Sequence, residues 1–213
     1  NLYHDVDRDR FEAEVAGLHA RIPDMQRNEV VVGLMRIAAL VGDGHTRVGP
    51  RKDPKFGFPS LPLKLYWFDD GLFVRAAAPA YGALVGAEIV EIGGVPVAEA
   101  IRRTRAISSV DNEMGYRLFA SLYLAVPDVL HALKLSPTSD AALLKLRKGG
   151  RTWTATVPAG QVDPSWPPDT DISLVTPEGW VDARSAAQPL WLQAPLDYRR
   201  LVPLPERNAL YAQ

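Results

Sequence analysis

VGDGHTRV, residues 41–48, is the stretch that decides the fold, because an amphipathic helix ends in it and a histidine follows directly. Before this stretch, apolar residues recur with the 3.6-residue period of one helix face. They are Val30, Leu34, Ile37 and Val41, flanked by Val31, Met35 and Ala38. The predicted start signals are Pro23 with Asp24, or Asn28. Gly42 and Gly44 can adopt the left-handed conformation that ends a helix, so His45 is expected just past the C-terminus.

His45 has two interpretations. It either caps the helix and anchors the loop, or acts as a general base, which requires a nucleophile within hydrogen-bond reach. Free carbonyls at a helix C-terminus favour the imidazolium, whereas burial beside apolar side chains favours the neutral ring. Spacing alone leaves its protonation state open.

The spacing of apolar residues predicts further helices and strands around this stretch. A first helix is expected over residues 6–21, paired antiparallel with the second, and its apolar face comprises Phe11, Val15, Leu18 and Ile22. Two β-hairpins are predicted, one over residues 63–75 around an Asp-Gly turn and one over residues 142–157 around Gly149 and Gly150. Aromatic and leucine spacing over residues 111–135, broken by Pro127, predicts two short inserted helices.

Composition limits the function classes. The chain has 213 residues, 47% of them hydrophobic, with 24 basic and 25 acidic residues, which indicates a globular protein. No run of Lys or Arg exceeds a pair, so nucleic acid is not expected as a partner. No segment approaches the roughly 18 consecutive apolar residues of a transmembrane helix. Because cysteine is absent, disulfides and thiolate metal sites are excluded, and export to the periplasm or outside the cell is compatible with the sequence.

Two segments together resemble a known family. The run over residues 40–48, after two helices, is similar to the N-terminal part of tricorn-type and tail-specific serine proteases. Residues 86–97, with apolar Ile89 and Ile92, a turn at Gly94 and a helix after Val97, resemble protease-associated PDZ domains. The resemblance implies an α+β fold: an N-terminal helical hairpin, a PDZ-like β-rich domain with inserted helices, and a linker into an α/β catalytic core.

The resemblance also implies site residues. His45 matches the histidine that serves as general base in the tricorn branch, with Asp43, Gly44 and Thr46 supporting its loop. The tricorn pattern has a serine directly before the histidine, and here that residue is Gly44. A peptide-binding groove is implied at Tyr81, Gly82, Leu84 and Val85 and at the helix from Val97, where a peptide would add as a strand. A spacer whose groove is filled by its own chain is the alternative.

The nucleophile is not recognisable. Neither Gly-x-Ser-x-Gly nor Ser-x-x-Lys occurs, so we expect residues 1–213 alone to hydrolyse nothing. The expected domains are 1–50 (helices and the GDGHT motif), 51–160 (PDZ-like) and 161–213 (proline-rich linker and the first strand of a catalytic core). On this interpretation the chain is an N-terminal part of a longer protein.

The sequence is consistent with three functions. The first is a serine-type peptidase acting on polypeptides or peptide C-termini, with His45 as base. The others are a non-catalytic binder of hydrophobic ligands, as in retinoid-binding relatives of the fold, and a peptide-binding scaffold. No cofactor or metal is expected: His131 has no carboxylate three or four residues on, and Asp43 with His45 lacks a third ligand. Substrate, compartment and oligomeric state are left open.

Overall fold

The protein has a mixed α+β fold, with an N-terminal helix pair and an antiparallel sheet. The computed structural model describes residues 5–49, 57–160, 176–184, 190 and 199–212. The coarse fold class expected from the sequence is therefore confirmed. Much of the predicted proline-rich linker, at residues 161–175, 185–189 and 191–198, lies outside the described residues.

The two N-terminal helices are α1, Arg8–Arg21, and α2, Arg27–Ala39, joined through a 3₁₀ turn at Ile22–Asp24. Both N-termini are capped by side chains. The Asp7 carboxylate accepts the Asp9 N–H, and Gln26 forms a capping box with Glu29. The predicted start of α2 at Pro23 and Asp24 or at Asn28 is wrong, because the reciprocal Gln26–Glu29 bonds begin the helix between those positions.

The buried face of α2 differs from the predicted stripe. Asn28, Val32 and Met35 are buried at helical spacing, whereas Leu34 is 42% exposed. On α1 only Leu18 is buried, and it packs so closely on Gly33 that a Cβ there would lie 2.5 Å from its Cδ1. Both helices carry a wider apolar surface than the packing uses, so periodicity alone could not identify the core-facing side.

One antiparallel sheet forms the body of the protein. Its strands are β1 Leu63–Phe68, β2 Gly71–Ala77, β3 Glu88–Ile92, β4 Val95–Pro96, β5 Ala141–Lys148, β6 Arg151–Pro158 and β7 Val181–Asp182. The main order is β1-β2-β3-β5-β6, with β4 paired to β3 and β7 paired to β2. Both predicted hairpins are confirmed, with β1 and β2 joined at Asp69 and Asp70, and β5 and β6 joined at Gly149 and Gly150.

Three helices lie between β4 and β5: α3 Val97–Thr104, α4 Glu113–Tyr123 and α5 Pro127–Ala132. The last two confirm the predicted inserted helices. Helix α4 packs on β1, and α5 packs on α2. Val32 and Met35 of α2 belong to the same hydrophobic cluster as the strands, so the helix pair and the sheet share one core. A separate hairpin, β8 Leu201–Leu204 and β9 Ala209–Ala212, contains the strand predicted at the end of the chain.

Candidate functional site

The predicted histidine lies on an exposed loop after α2. The side chain of His45 is 93% exposed, and its Nδ1 lies 3.5 Å from Asp43 Oδ1. Gly42 takes a positive φ of 75°, which turns the chain out of the helix end. The expected position of His45, just past the helix, is confirmed, and the ring is open to a reactant approaching from solvent.

Asp43 organises the loop around the histidine. Its Oδ1 accepts the His45 N–H at 3.1 Å, and its Oδ2 accepts the Thr46 hydroxyl at 2.6 Å. The Thr46 N–H also donates to the Asp43 carbonyl at 3.1 Å. The hydrogen bond from the Thr46 side chain, and next that from the His45 N–H, lower the pKa of Asp43. Asp43 is therefore a carboxylate at neutral pH, and it lies beside the imidazole ring.

Gly44 connects this loop to a distant segment. Its N–H donates to Asp111 Oδ1 at 2.8 Å, across 67 positions of sequence. A Cβ at residue 44 would lie 2.4 Å from Asp111 Oδ2, so a side chain there would require the Asp111 carboxylate to move. Asp111 was missed from the sequence, because no local pattern relates it to residue 44.

The far side of the loop contacts α4. The Arg47 guanidinium lies 5.0 Å from the centre of the Phe119 ring, a cation–π distance. Phe119 stacks on Tyr123 with ring centres 5.8 Å apart. Burial raises the pKa of Tyr123 to about 12, an effect that the charge of Arg47 partly opposes. The histidine loop is therefore packed against the inserted helix as well as tied to Asp111.

No described serine hydrogen-bonds to His45. Instead, three serine hydroxyls donate to nearby carbonyls: Ser108 to Thr104, Ser121 to Arg117, and Ser136 to Ala141. Ser109 is buried, at 3% exposure. Within the described part of the chain, then, His45 is an exposed imidazole beside an aspartate, with no serine hydroxyl in hydrogen-bond contact.

The residues predicted to bind peptide lie in and around the 3₁₀ helix Pro79–Leu84. Leu84 and Val85 are each 8% exposed and belong to the core, and Tyr81 packs partly against it. Beside them, β7 pairs with β2 at Ala76 and Ala77. A Cβ on Gly82 would lie 3.0 Å from Val181 Cγ2, so the chain's own strand occupies this side of the sheet. A peptide adding here would have to displace β7, and peptide binding at these residues stays a prediction.

A charged cluster that the sequence did not reveal holds β7 in place. Arg75 Nη1 donates to Asp182 Oδ2 at 2.9 Å and to the Thr176 hydroxyl at 3.0 Å. Arg184 Nη2 donates to the same carboxylate oxygen at 2.6 Å. Burial alone would raise the pKa of Asp182, but the hydrogen bonds from Arg184 and Thr176 lower it to about 2. Arg75 lies 107 positions from Asp182 in the sequence, and no local pattern indicates their pairing.

The helix from Val97, the other part of the predicted groove, lines an open cleft of about 530 Å³. Its opposite wall is the β1–β2 turn with Asp70. The rings of Trp67 and Tyr116 also line the cleft and pack edge to face, with their centres 5.6 Å apart. Arg105 lies 4.4 Å from the centre of the Tyr116 ring. The cleft is mainly apolar and could accommodate a side chain of an extended segment.

His131 lies where α2 meets α5, with its Nδ1 3.0 Å from Asn28 Nδ2. The Asn28 amide also donates to the Asp128 carbonyl at 3.1 Å, so the histidine belongs to a packing contact. In the ranges that the structure describes, no group of three or more His, Asp or Glu side chains is arranged to hold a metal ion. Nor does any helix there have the length and apolar character needed to cross a bilayer.

Comparison with known proteins gives no match, neither to a protein-family model nor to a curated protein sequence. The functional assignment therefore depends on the histidine loop and on the sheet beside it.

Proposed function

We propose that this chain is the histidine-bearing, PDZ-like part of a serine-type peptidase related to the tricorn and tail-specific proteases. The observation that carries the proposal is the histidine loop: an imidazole open to solvent beside an aspartate, on a backbone held by hydrogen bonds at residues 43, 44 and 46. A helix cap would need no such exposure, and a core histidine would be buried.

In this proposal Asp43 and His45 form the base of a catalytic triad. The Asp43 carboxylate lies 3.5 Å from Nδ1, and in the proposed tautomer Nδ1 would carry the proton and Nε2 would accept one. Nε2 would take the proton of a serine hydroxyl as the oxygen attacks the peptide carbonyl, and would then return it to the leaving amine. Asp43 would orient the ring and stabilise the imidazolium formed in between. The serine would belong to a polypeptide segment outside residues 1–213.

The antiparallel sheet β1–β6 together with helix α3, called the sheet unit from here on, would bind the polypeptide substrate or its C-terminus. Support comes from the antiparallel sheet with a helix beside it and from the apolar cleft between α3 and the β1–β2 turn. Trp67 and Tyr116 offer an aromatic surface on which an apolar side chain of the bound segment could pack. Main-chain pairing would supply affinity and the cleft would supply selectivity.

Fluorophosphonate labelling of the natural protein that contains these residues tests the proposal, with the modified residue located by mass spectrometry. We expect labelling of a serine outside residues 1–213 and its loss in His45→Ala. His19→Ala is the matched control, because His19 is an exposed histidine on α1. Labelling that survives His45→Ala would indicate a lysine-activated serine, and absence of labelling would contradict the peptidase and favour a ligand binder or scaffold.

A second measurement concerns the 213-residue chain alone. We expect the purified chain to leave denatured protein substrates intact, because no described serine reaches His45. Cleavage by this chain that is abolished in His45→Ala would contradict our placement of the nucleophile.

A further inference from the structure

The bond between Gly44 and Asp111 joins two parts of the molecule that are far apart in sequence. Gly44 lies beside the candidate base, and Asp111 lies in the connection between α3 and α4. Asp111 directly precedes Asn112, whose side chain caps α4 by accepting the Gly115 N–H at 2.8 Å. The acceptor for the histidine loop is thus fixed to the start of the inserted helix.

Helix α4 is itself firmly attached to the sheet unit. The Tyr116 hydroxyl donates to the Ile101 carbonyl of α3 at 2.7 Å, and its ring meets Trp67 of β1. Arg117 pairs with Asp69 at the β1–β2 turn and lies over the Trp67 ring at 5.2 Å. Asp111 is therefore held at the start of a helix that is itself anchored to the sheet and to α3.

The histidine loop behaves as one small unit. The carboxylate of Asp43 closes residues 43–46 internally through the Thr46 hydroxyl and the His45 N–H. A hydrogen bond to Gly44 from outside fixes the whole unit, because a shift at residue 44 would carry the neighbouring ring with it. The glycine favours this contact, since a Cβ would lie 2.4 Å from Asp111 Oδ2 and displace the carboxylate from its present position.

We infer that Asp111 is a positioning residue for His45. Through Asp111, the sheet unit determines the position of the imidazole ring. The inference depends on the proposed function, because it assigns Asp111 to the same site. Asp111 acts on the Gly44 N–H and takes no part in proton transfer itself. The α3–α4 connection thereby belongs to the candidate active site, although it follows the histidine by more than sixty residues.

The hydrogen bond is tested first, by hydrogen exchange of the Gly44 amide measured by NMR in the 213-residue chain. Asp111→Ala should increase its exchange rate about tenfold, the equivalent of one lost hydrogen bond. Asp111→Asn keeps an acceptor oxygen and should change the rate by less than about threefold. Asp70→Ala, another aspartate on the surface, is the control. An unchanged Gly44 amide in Asp111→Ala would overturn the inference.

The effect on the site is tested by the rate of fluorophosphonate labelling in the natural protein. Asp111→Ala should slow the His45-dependent labelling about 10- to 100-fold, the scale of a misplaced catalytic group, and Asp111→Asn should restore most of it. Gly44→Ala should slow labelling similarly, and the double variant should be no slower than either single one, because both break the same contact.

The two proposals fail in different ways. If labelling depends on His45 and is unaffected by Asp111→Ala, the positioning role is wrong and the peptidase stands. If labelling does not depend on His45, the proposed function is wrong and Asp111 positions no base, even where the Gly44 amide exchanges as expected. A rate lost in both Asp111→Ala and Asp111→Asn would also overturn the role assigned to the hydrogen bond.

Discussion

Two clusters in this protein pair a carboxylate with a basic side chain, and they differ in exposure. At the histidine loop, Asp43 faces a ring that is 93% exposed. At strand β7, Asp182 is 17% exposed and contacts Arg75, of which 5% is exposed. In both clusters hydrogen bonds lower the pKa of the aspartate. The chemical components are alike, but their surroundings are not.

The difference separates a structural cluster from a candidate reactive one. Charges removed from water must be paired, so loss of one member of the Arg75–Asp182 pair leaves a buried charge and destabilises the fold. An exposed pair gains little, because water and salt screen the interaction. The exposed cluster therefore contributes little to stability, which leaves its imidazole available to a reactant.

The largest expected effect is at the buried cluster. Asp182→Ala should lower the free energy of unfolding by about 3 kcal/mol, since it leaves the Arg75 guanidinium buried beside an apolar side chain. Urea denaturation followed by circular dichroism measures the change. Asp140→Ala, at an exposed aspartate, is the control and should change it by less than about 0.5 kcal/mol. Equal losses in the two variants would contradict the structural role of the cluster.

Acidification should affect the same cluster in a defined direction. The folded-state pKa of Asp182, about 2, lies below its ordinary value of 3.8. The stabilisation is therefore fully present above about pH 4 and is lost as the pH falls from about 4 towards 2. The difference in urea midpoint between the wild type and Asp182→Asn should shrink over this range. A difference that grows on acidification would reverse the assigned sign.

A smaller effect is expected at the junction between the histidine loop and Asp111. Gly44→Ala should lower the free energy of unfolding by about 1 kcal/mol, because the new methyl group displaces the Asp111 carboxylate and breaks one exposed hydrogen bond. The matched control is Gly49→Ala, where an added Cβ meets no atom within 4 Å. If both variants unfold at the same urea concentration, the site at residue 44 accommodates a methyl group without loss of the hydrogen bond to Asp111.

The smallest effect belongs to the histidine itself. His45→Ala should leave the thermal midpoint within about 2 °C of the wild type, because the side chain is almost wholly in water. Differential scanning calorimetry provides the measurement. A fall of 5 °C or more would indicate a structural histidine and would remove the contrast between the two clusters.

Much of the local structure could be predicted from the sequence. Both sheet hairpins, the inserted helices and the place of His45 just past a helix end follow from turn residues and periodicity within a few tens of residues. The α2 stripe was less informative: Val32 and Met35 are buried and Leu34 is 42% exposed. Several faces of that helix are apolar, so the side that packs depends on where α1 and α5 approach it.

The long-range partners could not be predicted. Asp111 has no pattern that relates it to Gly44, and Arg75 has none that relates it to Asp182. The peptide-binding groove predicted near Gly82 is a further example. Strand β7 lies against this surface, and it comes about a hundred residues later in the chain, so the sequence around Gly82 gave no sign of it.

The sequence by itself determined the helices, the turns and the placement of a histidine just past a helix end, because backbone propensities and caps act between near neighbours. Only the tertiary structure decided which aspartate holds the histidine loop, which arginine is buried with Asp182, and which edge of the sheet the chain fills itself. Those contacts depend on the path of the whole chain, since residues about 70 to 100 positions apart meet only after the sheet and its helices have packed.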